Sequence, residues 1–256
     1  MDIHGPIYSR RFGTSIIINL RDHKNEKNCT WRCIYCPWKK ENLITKSPEE
    51  FPSRTAGNQN FMTESLVKLR RLTQSQSDLK SVILSGNSDP TNYRGFEELV
   101  SEIIAFRKTQ KGAWSLVCFT NGVALDNESV LNACESVDEI WVKLDCSNIA
   151  LFQKLNRPVT QAESFKKQVE NIGKLHAPCI QTMLWRNQKD FEYQNWTPEN
   201  LKGLIDIYEQ LKPAYVHLLT PKQESLFSAI QPVGHEGMHG FALRIEERGI
   251  SAEVWG

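Results

Sequence analysis

The chain lacks any apolar run long enough to cross a bilayer. Near its start the longest is Ile16-Ile17-Ile18, against the roughly 20 residues a spanning helix needs. The opening Met1-Asp-Ile-His-Gly-Pro-Ile-Tyr-Ser-Arg-Arg lacks the apolar centre of a signal peptide, so a cytoplasmic protein with no membrane role is expected. A charge excess is also missing. The formal net charge of +1 gives no general reason to expect a polyanionic partner. Nucleic acid therefore stays possible through local patches such as Arg70-Arg71 or Lys166-Lys167, without being indicated by charge. Internal repeats, low-complexity tracts and obvious linkers are absent. So are paired cysteines: the count of seven is odd, three crowd into eight residues, and Cys118, Cys134, Cys146 and Cys179 are scattered singly. That distribution argues against a disulfide scaffold and for thiols that bind metal.

What is present is a strand signal followed repeatedly by a helix signal. Short apolar runs at Thr14–Leu20, Ser81–Ser85, Trp114–Thr120, Glu139–Asp145, Cys179–Leu184 and Ala214–Leu219 are nearly continuous rather than alternating, which suits parallel strands covered on both faces. Amphipathic patterns between them predict helices near Thr63–Gln76, Gly95–Lys111, Asn127–Ser136, Gln161–Leu175 and Pro198–Leu211. Six such units are too few for a closed eight-fold barrel. The expected class is α/β, a partial (β/α)6, TIM-like barrel of parallel strands over residues 1–220, with a short C-terminal extension over residues 221–256. There a helix near Met238–Arg248 and a last strand at Ser251–Trp255 are expected. Ligands of such folds sit at the carboxyl ends of the strands. The polar stretch Pro37–Asn60 reads as a long loop of the kind that serves function.

The first strand leads into Cys29-Thr-Trp-Arg-Cys33-Ile-Tyr-Cys36. Thiolates suit iron–sulfur clusters and zinc. Spacings of three and two let one loop present three sulfurs to three irons, leaving a fourth iron open to a small molecule. A zinc site completed by a remote His or Cys is the alternative, and would make the chain a zinc-binding, non-enzymatic module. A third reading is a chance cluster of buried cysteines.

Cys-x3-Cys-x2-Cys with an aromatic, Tyr35, before the last cysteine resembles the signature of the radical S-adenosylmethionine (SAM) superfamily. With Arg11-Phe-Gly-Thr-Ser-Ile-Ile-Ile-Asn-Leu ahead of it, the segment is similar to the branch that includes the wybutosine-pathway tricyclic ring synthases. The resemblance implies a single [4Fe–4S] cluster on Cys29, Cys33 and Cys36, whose open iron chelates SAM. Reductive cleavage of SAM then yields a 5′-deoxyadenosyl radical that takes hydrogen from a substrate. It also implies a flavodoxin or ferredoxin as electron donor. Residues 1–28 contain no cysteine, unlike ring synthases with a second cluster, and a cysteine-rich C-terminal extension is missing too. The expected substrate is thus an unidentified small molecule or nucleoside, with tRNA or peptide modification as the alternative.

The other strand ends carry polar residues. Ser85-Gly-Asn-Ser-Asp-Pro-Thr91 resembles the family's Gly-Glu-Pro segment, which implies that Gly86, Asn87 and Asp89 hold the SAM amino group. The plain reading is an Asp-Pro turn opening a helix. By the same resemblance Asn121, Lys143 and Asp145 face the SAM ribose and carboxylate, with Tyr35 at the cluster. Their plain readings are a turn for Asn121-Gly122 and a helix cap for Asp145. Lysine within a parallel strand is costly without a partner or ligand, so Lys143 is also the candidate catalytic residue. Gln181, Met183 and His217 read as packing. His235-Glu236-Gly-Met-His239 matches the zinc-peptidase pattern, but Gly234 and Gly237 weaken the helix that pattern requires.

Overall fold

A computed structural model describes residues 2–20, 29–36, 59–86, 88–110, 113–158, 164–221 and 229–255. Two compact units divide the chain. The first comprises Met1–Thr30, Asn42–Thr120 and Ala124–Ile140; the second comprises Trp31–Glu41, Asn121–Val123 and Trp141–Gly256. Both are built from parallel strands and helices, the α/β class expected from the sequence. The long loop expected over Pro37–Asn60 lies outside the described residues up to residue 58.

In the first unit, β1 (Asp2–Ser9) runs antiparallel to β2 (Gly13–Asn19), and β2, β3 (Ser81–Leu84) and β4 (Ser115–Thr120) are parallel neighbours. Ile16, Val82 and Leu116 lie side by side in register, each wholly buried. Helix α1 (Gln59–Gln74) links β2 to β3, and α2 (Phe96–Lys108) links β3 to β4. The buried face of α2 is Phe96, Leu99, Val100, Ile103 and Phe106, the 3.6-residue period that gave it away in sequence. Helix α3 (Glu128–Glu135) begins where Asn127 accepts from the backbone of Ser129 and Val130, relieving two otherwise unpaired N–H groups. Strand β1 escaped the sequence reading because Gly5-Pro6 interrupts it. A register shift between His4 and Ile7 accommodates the pair, as proline demands on an edge strand.

In the second unit, β5 (Glu139–Lys143, entering at Trp141), β6 (Cys179–Met183), β8 (Tyr215–Leu219) and β10 (Ala252–Trp255) are parallel neighbours in that order. Helices α4 (Ile149–Leu155) and α5 (Ser164–Ile172) separate β5 from β6. Helix α6 (Pro198–Leu211) follows the short β7 (Trp185–Asn187) and starts at Thr197, whose side chain caps the N–H of Asn200. Strand β9 (Ile230–Pro232) pairs with β7, and α7 (His235–Glu246) leads into β10. Thus the last strand, drawn from residues 221–256, pairs with β8.

Two expectations need correction. Helix α7 begins at His235 rather than near Met238: Met238, Phe241, Ala242 and Ile245 are buried along one stripe, and that burial outweighs the cost of Gly237 and Gly240. Asp145 does not cap a helix. The cap of α4 is Asn148, which accepts from the N–H of Leu151.

Candidate active site

In the second unit the cysteine segment is fastened to the end of α4. The final carbonyls of a helix have no partner within it, and here the segment supplies donors. The N–H of Ile34 donates to Leu155 O at 2.9 Å, and that of Arg32 to Asn156 O at 3.0 Å. Trp31 is buried edge-on against Phe152, with ring centroids 5.0 Å apart. A turn in which the N–H of Cys36 donates to Cys33 O at 3.0 Å sets the spacing of those two cysteines.

Asp145 organises the surroundings of Cys33. Its side chain is wholly buried. Oδ2 accepts from the hydroxyl of Tyr35 at 2.5 Å and from Nδ2 of Asn156 at 2.9 Å; Oδ1 accepts from the N–H of Met183 at 2.9 Å. Lys143 Nζ lies 3.8 Å from Oδ1 and 4.6 Å from the centre of the Tyr35 ring, which also packs on Trp185. Tyr35, Lys143 and Asp145 are therefore brought together. The lysine meets the demand for a partner through a carboxylate and an aromatic face.

Asn156 was not foreseen. Its Nδ2 also donates to Cys33 Sγ at 3.4 Å, while its Oδ1 accepts from Cys146 Sγ at 3.3 Å. Burial pushes the Cys33 thiol above the ordinary range, with the Lys143 charge pulling the other way. Burial, then the neighbouring Asp145, raises the Tyr35 hydroxyl and the Cys146 thiol well above theirs. No sequence signal marks an asparagine at a helix end for this duty.

A polar row crosses the sheet of this unit. Lys143, Gln181, His217 and Glu253 are in register on β5, β6, β8 and β10, and residues in register on parallel strands share a face. His217 is 7% exposed, stacked on Trp141 at 3.9 Å, with Nε2 3.5 Å from the Glu253 carboxylate. Asn121 is buried, and its Oδ1 accepts from the N–H of Val123. Gln168 on α5 donates to the carbonyls of both Asn121 and Lys143.

In the first unit, Gly86 has φ +140°, and a Cβ there would come within 2.4 Å of Asn19 Oδ1. That oxygen is buried and, among the described residues, has no hydrogen-bond partner. Asp89 is 4% exposed; it accepts from the N–H and hydroxyl of Thr91 at 3.0 and 2.7 Å, and from the hydroxyl of Thr120 at 3.0 Å. Its bonds to Thr91 match the turn reading. Asn87 lies outside the described residues. Cys29 belongs to this unit and is half-buried. Among the described residues, which include all seven cysteines, no disulfide is formed. Among the described residues no three His, Cys, Asp or Glu side chains are gathered as a metal-binding group. Three thiols within eight residues of sequence are nevertheless a donor type that suits iron–sulfur ligation by its chemistry.

No family model matches the chain. It is 23% identical over 98% of its length to a Brachyspira hyodysenteriae protein named GTPase Obg, of which it spans only 34%. The chain carries no Gly-x4-Gly-Lys-Ser/Thr phosphate loop. It is 27% identical over 89% of its length to a UPF0026 protein of Helicobacter pylori, of which it spans 68%. Among solved structures, a radical SAM methyltransferase from Sphaerobacter thermophilus superposes with TM-score 0.63 at 17% identity, covering 94% of this chain and 66% of that one. The chain has the radical SAM fold. Streptococcus suis SuiB bound to S-adenosylmethionine superposes with TM-score 0.62 at 12% identity, over 94% of this chain and 50% of its own. Among the described residues no helix is long and apolar enough to cross a membrane.

Proposed function

We propose that this chain is a radical SAM enzyme whose Cys29, Cys33 and Cys36 hold one [4Fe–4S] cluster, acting on a small molecule or nucleoside. The observation that carries the reading is the union of a radical SAM fold with a Cys-x3-Cys-x2-Cys segment whose middle thiol is enclosed by Asp145, Asn156 and Tyr35. When bound, the cluster and SAM supply the electron transfer and the 5′-deoxyadenosyl radical that begin the chemistry.

The chain's own residues bind, orient and shield. Asn156 donates to Cys33 Sγ, and a hydrogen bond to a thiolate stabilises the ligand form. The Tyr35 and Trp185 rings keep water from the inner side of the segment. Gly86 lets the Asn19 side chain approach its backbone, and the Asn19 oxygen, unmatched among the described residues, is an acceptor suited to the ammonium group of SAM. Lys143 is held ready for a carboxylate, while the wholly buried Asp145 orients Lys143, Tyr35 and Asn156. Along the row, Gln181 and His217 offer polar atoms to the substrate. An electron donor of flavodoxin or ferredoxin type and a cytoplasmic, reducing setting complete the proposal, the latter in keeping with cysteines that form no disulfide.

The decisive experiment is anaerobic reconstitution with iron and sulfide. The protein should turn brown with a band at about 400 nm, the charge-transfer region of such clusters. With reductant and SAM it should release 5′-deoxyadenosine, and Cys33→Ser should abolish both signals. A colourless protein, or one that takes up a single zinc in place of iron, overturns the reading.

A further inference from the structure

Helix α7 carries a feature that the proposed chemistry does not use. His235 and His239 stand one turn apart on the exposed side of its first two turns. Their rings face each other with centroids 4.1 Å apart, and the two Nε2 atoms approach to 2.9 Å. The sequence pattern His-x3-His allows such a meeting only on a formed helix, where residues i and i+4 share a face. That helix forms despite its glycines.

A hydrogen bond between two exposed imidazoles gives little reason for this arrangement, because water satisfies each ring equally well and leaves its rotamers free. Metal chelation gives a stronger one. An ion holding two imidazole nitrogens at about 2.0–2.1 Å separates them by about 2.9 Å when the angle at the metal is a right angle, and by about 3.3 Å when it is tetrahedral. The spacing here, also the length of an ordinary hydrogen bond, is compatible with the right angle that tetragonal Ni(II) and Cu(II) prefer.

We propose that His235 and His239 form a two-nitrogen site for a tetragonal divalent ion, nickel or copper, with water in the remaining positions. Among the described residues no third protein ligand completes a metal-binding group, so the peptidase reading of His-Glu-x-x-His does not follow. The first turn of α7 starts at Gly234 without a side-chain cap and contains Gly237, both features of a weakly held helix start. A metal bridging the two histidines would clamp that turn, and so hold α7 against β10.

The site is independent of the cluster, and its test must be too. Tag-free protein should be prepared with the cluster loaded, and separately as the Cys29→Ser/Cys33→Ser/Cys36→Ser variant, so that the three motif cysteines cannot supply the signal. Titration with Ni2+ should give one ion per chain in both forms. His235→Ala and His239→Ala should each weaken binding at least tenfold, while His4→Ala and His176→Ala leave it unchanged. Melting temperature should rise with Ni2+ in the parent and not in His239→Ala, whose circular dichroism will show that it folds. The proposal is overturned if His239→Ala binds nickel as the parent does, if no nickel binds, or if Zn2+ binds more tightly than Ni2+. Should the serine variant fail to fold, the cluster-loaded protein alone decides.

Discussion

Asp145 concentrates more of the candidate site than any other residue, since one carboxylate receives Tyr35, Asn156 and the backbone of Met183. Hydrogen bonds to charged groups are worth about 1.5–3 kcal/mol, so Tyr35→Phe should lower unfolding free energy by about that amount in urea titrations. Because Tyr35 and Asn156 share the same oxygen, a double-mutant cycle of Tyr35→Phe with Asn156→Ala should show coupling of at least about 0.5 kcal/mol. Strict additivity would mean that the shared oxygen is not the point of contact. At Gly86 two penalties combine, a φ of +140° and a contact with Asn19. Gly86→Ala should therefore cost about 2 kcal/mol or more, and adding Asn19→Ala should recover only part, because backbone strain of about 1–3 kcal/mol remains. Equal stability of Gly86→Ala and the parent would refute this. The meeting of Lys143 with Asp145 was legible, because alternation along a strand puts both on one face. Asn156 was not, since its value comes from meeting a thiol 123 residues away in the chain.

Elements differ in how openly the sequence declares them. The expected six strands each appear within a residue or two, because near-continuous aliphatic runs leave parallel strands as the natural reading. Helix α6 appears with the bounds its Thr197-Pro198 start suggests. Helix α4 stayed hidden: seven residues are too few to show a period. Its stability rests on a cap and on the tryptophan packed against it. Replacing Asn148 by Ala should cost about 1 kcal/mol, whereas Trp31→Ala, which empties a buried contact on Phe152, should cost about 3–5 kcal/mol. Thermal melts of the two variants will rank them. If the cap proves the costlier loss, packing is not what holds α4. Helix α7 shows the opposite failure, a local glycine penalty correctly read but outweighed by buried Met238, Phe241 and Ile245.

At the scale of the whole chain, buried acids set the response to alkali. Burial raises the thiols of Cys33, Cys118 and Cys146 and the hydroxyls of Tyr35 and Tyr208 above their ordinary values. The folded state therefore keeps protons that the unfolded chain gives up sooner. Stability from these groups is complete below the ordinary thiol value of about 8.5 and declines as pH climbs through the raised values. Urea midpoints of the metal-free protein should accordingly fall between about pH 8 and pH 10.5, a range that brackets the ordinary thiol and phenol values. A flat or rising midpoint would contradict the assignment. The α/β class and the cysteine motif were legible at this scale, since repetition and spacing are properties of sequence. Which buried groups would share protons was not, because that depends on tertiary neighbours.

The fastening of the cysteine segment to α4 has a kinetic corollary. Amide protons of Arg32 and Ile34 end on carbonyls of Asn156 and Leu155, so they should exchange with solvent deuterium only as often as the last turn of that helix opens. Fraying there would unlatch Cys33 and Cys36 together, without altering either sulfur.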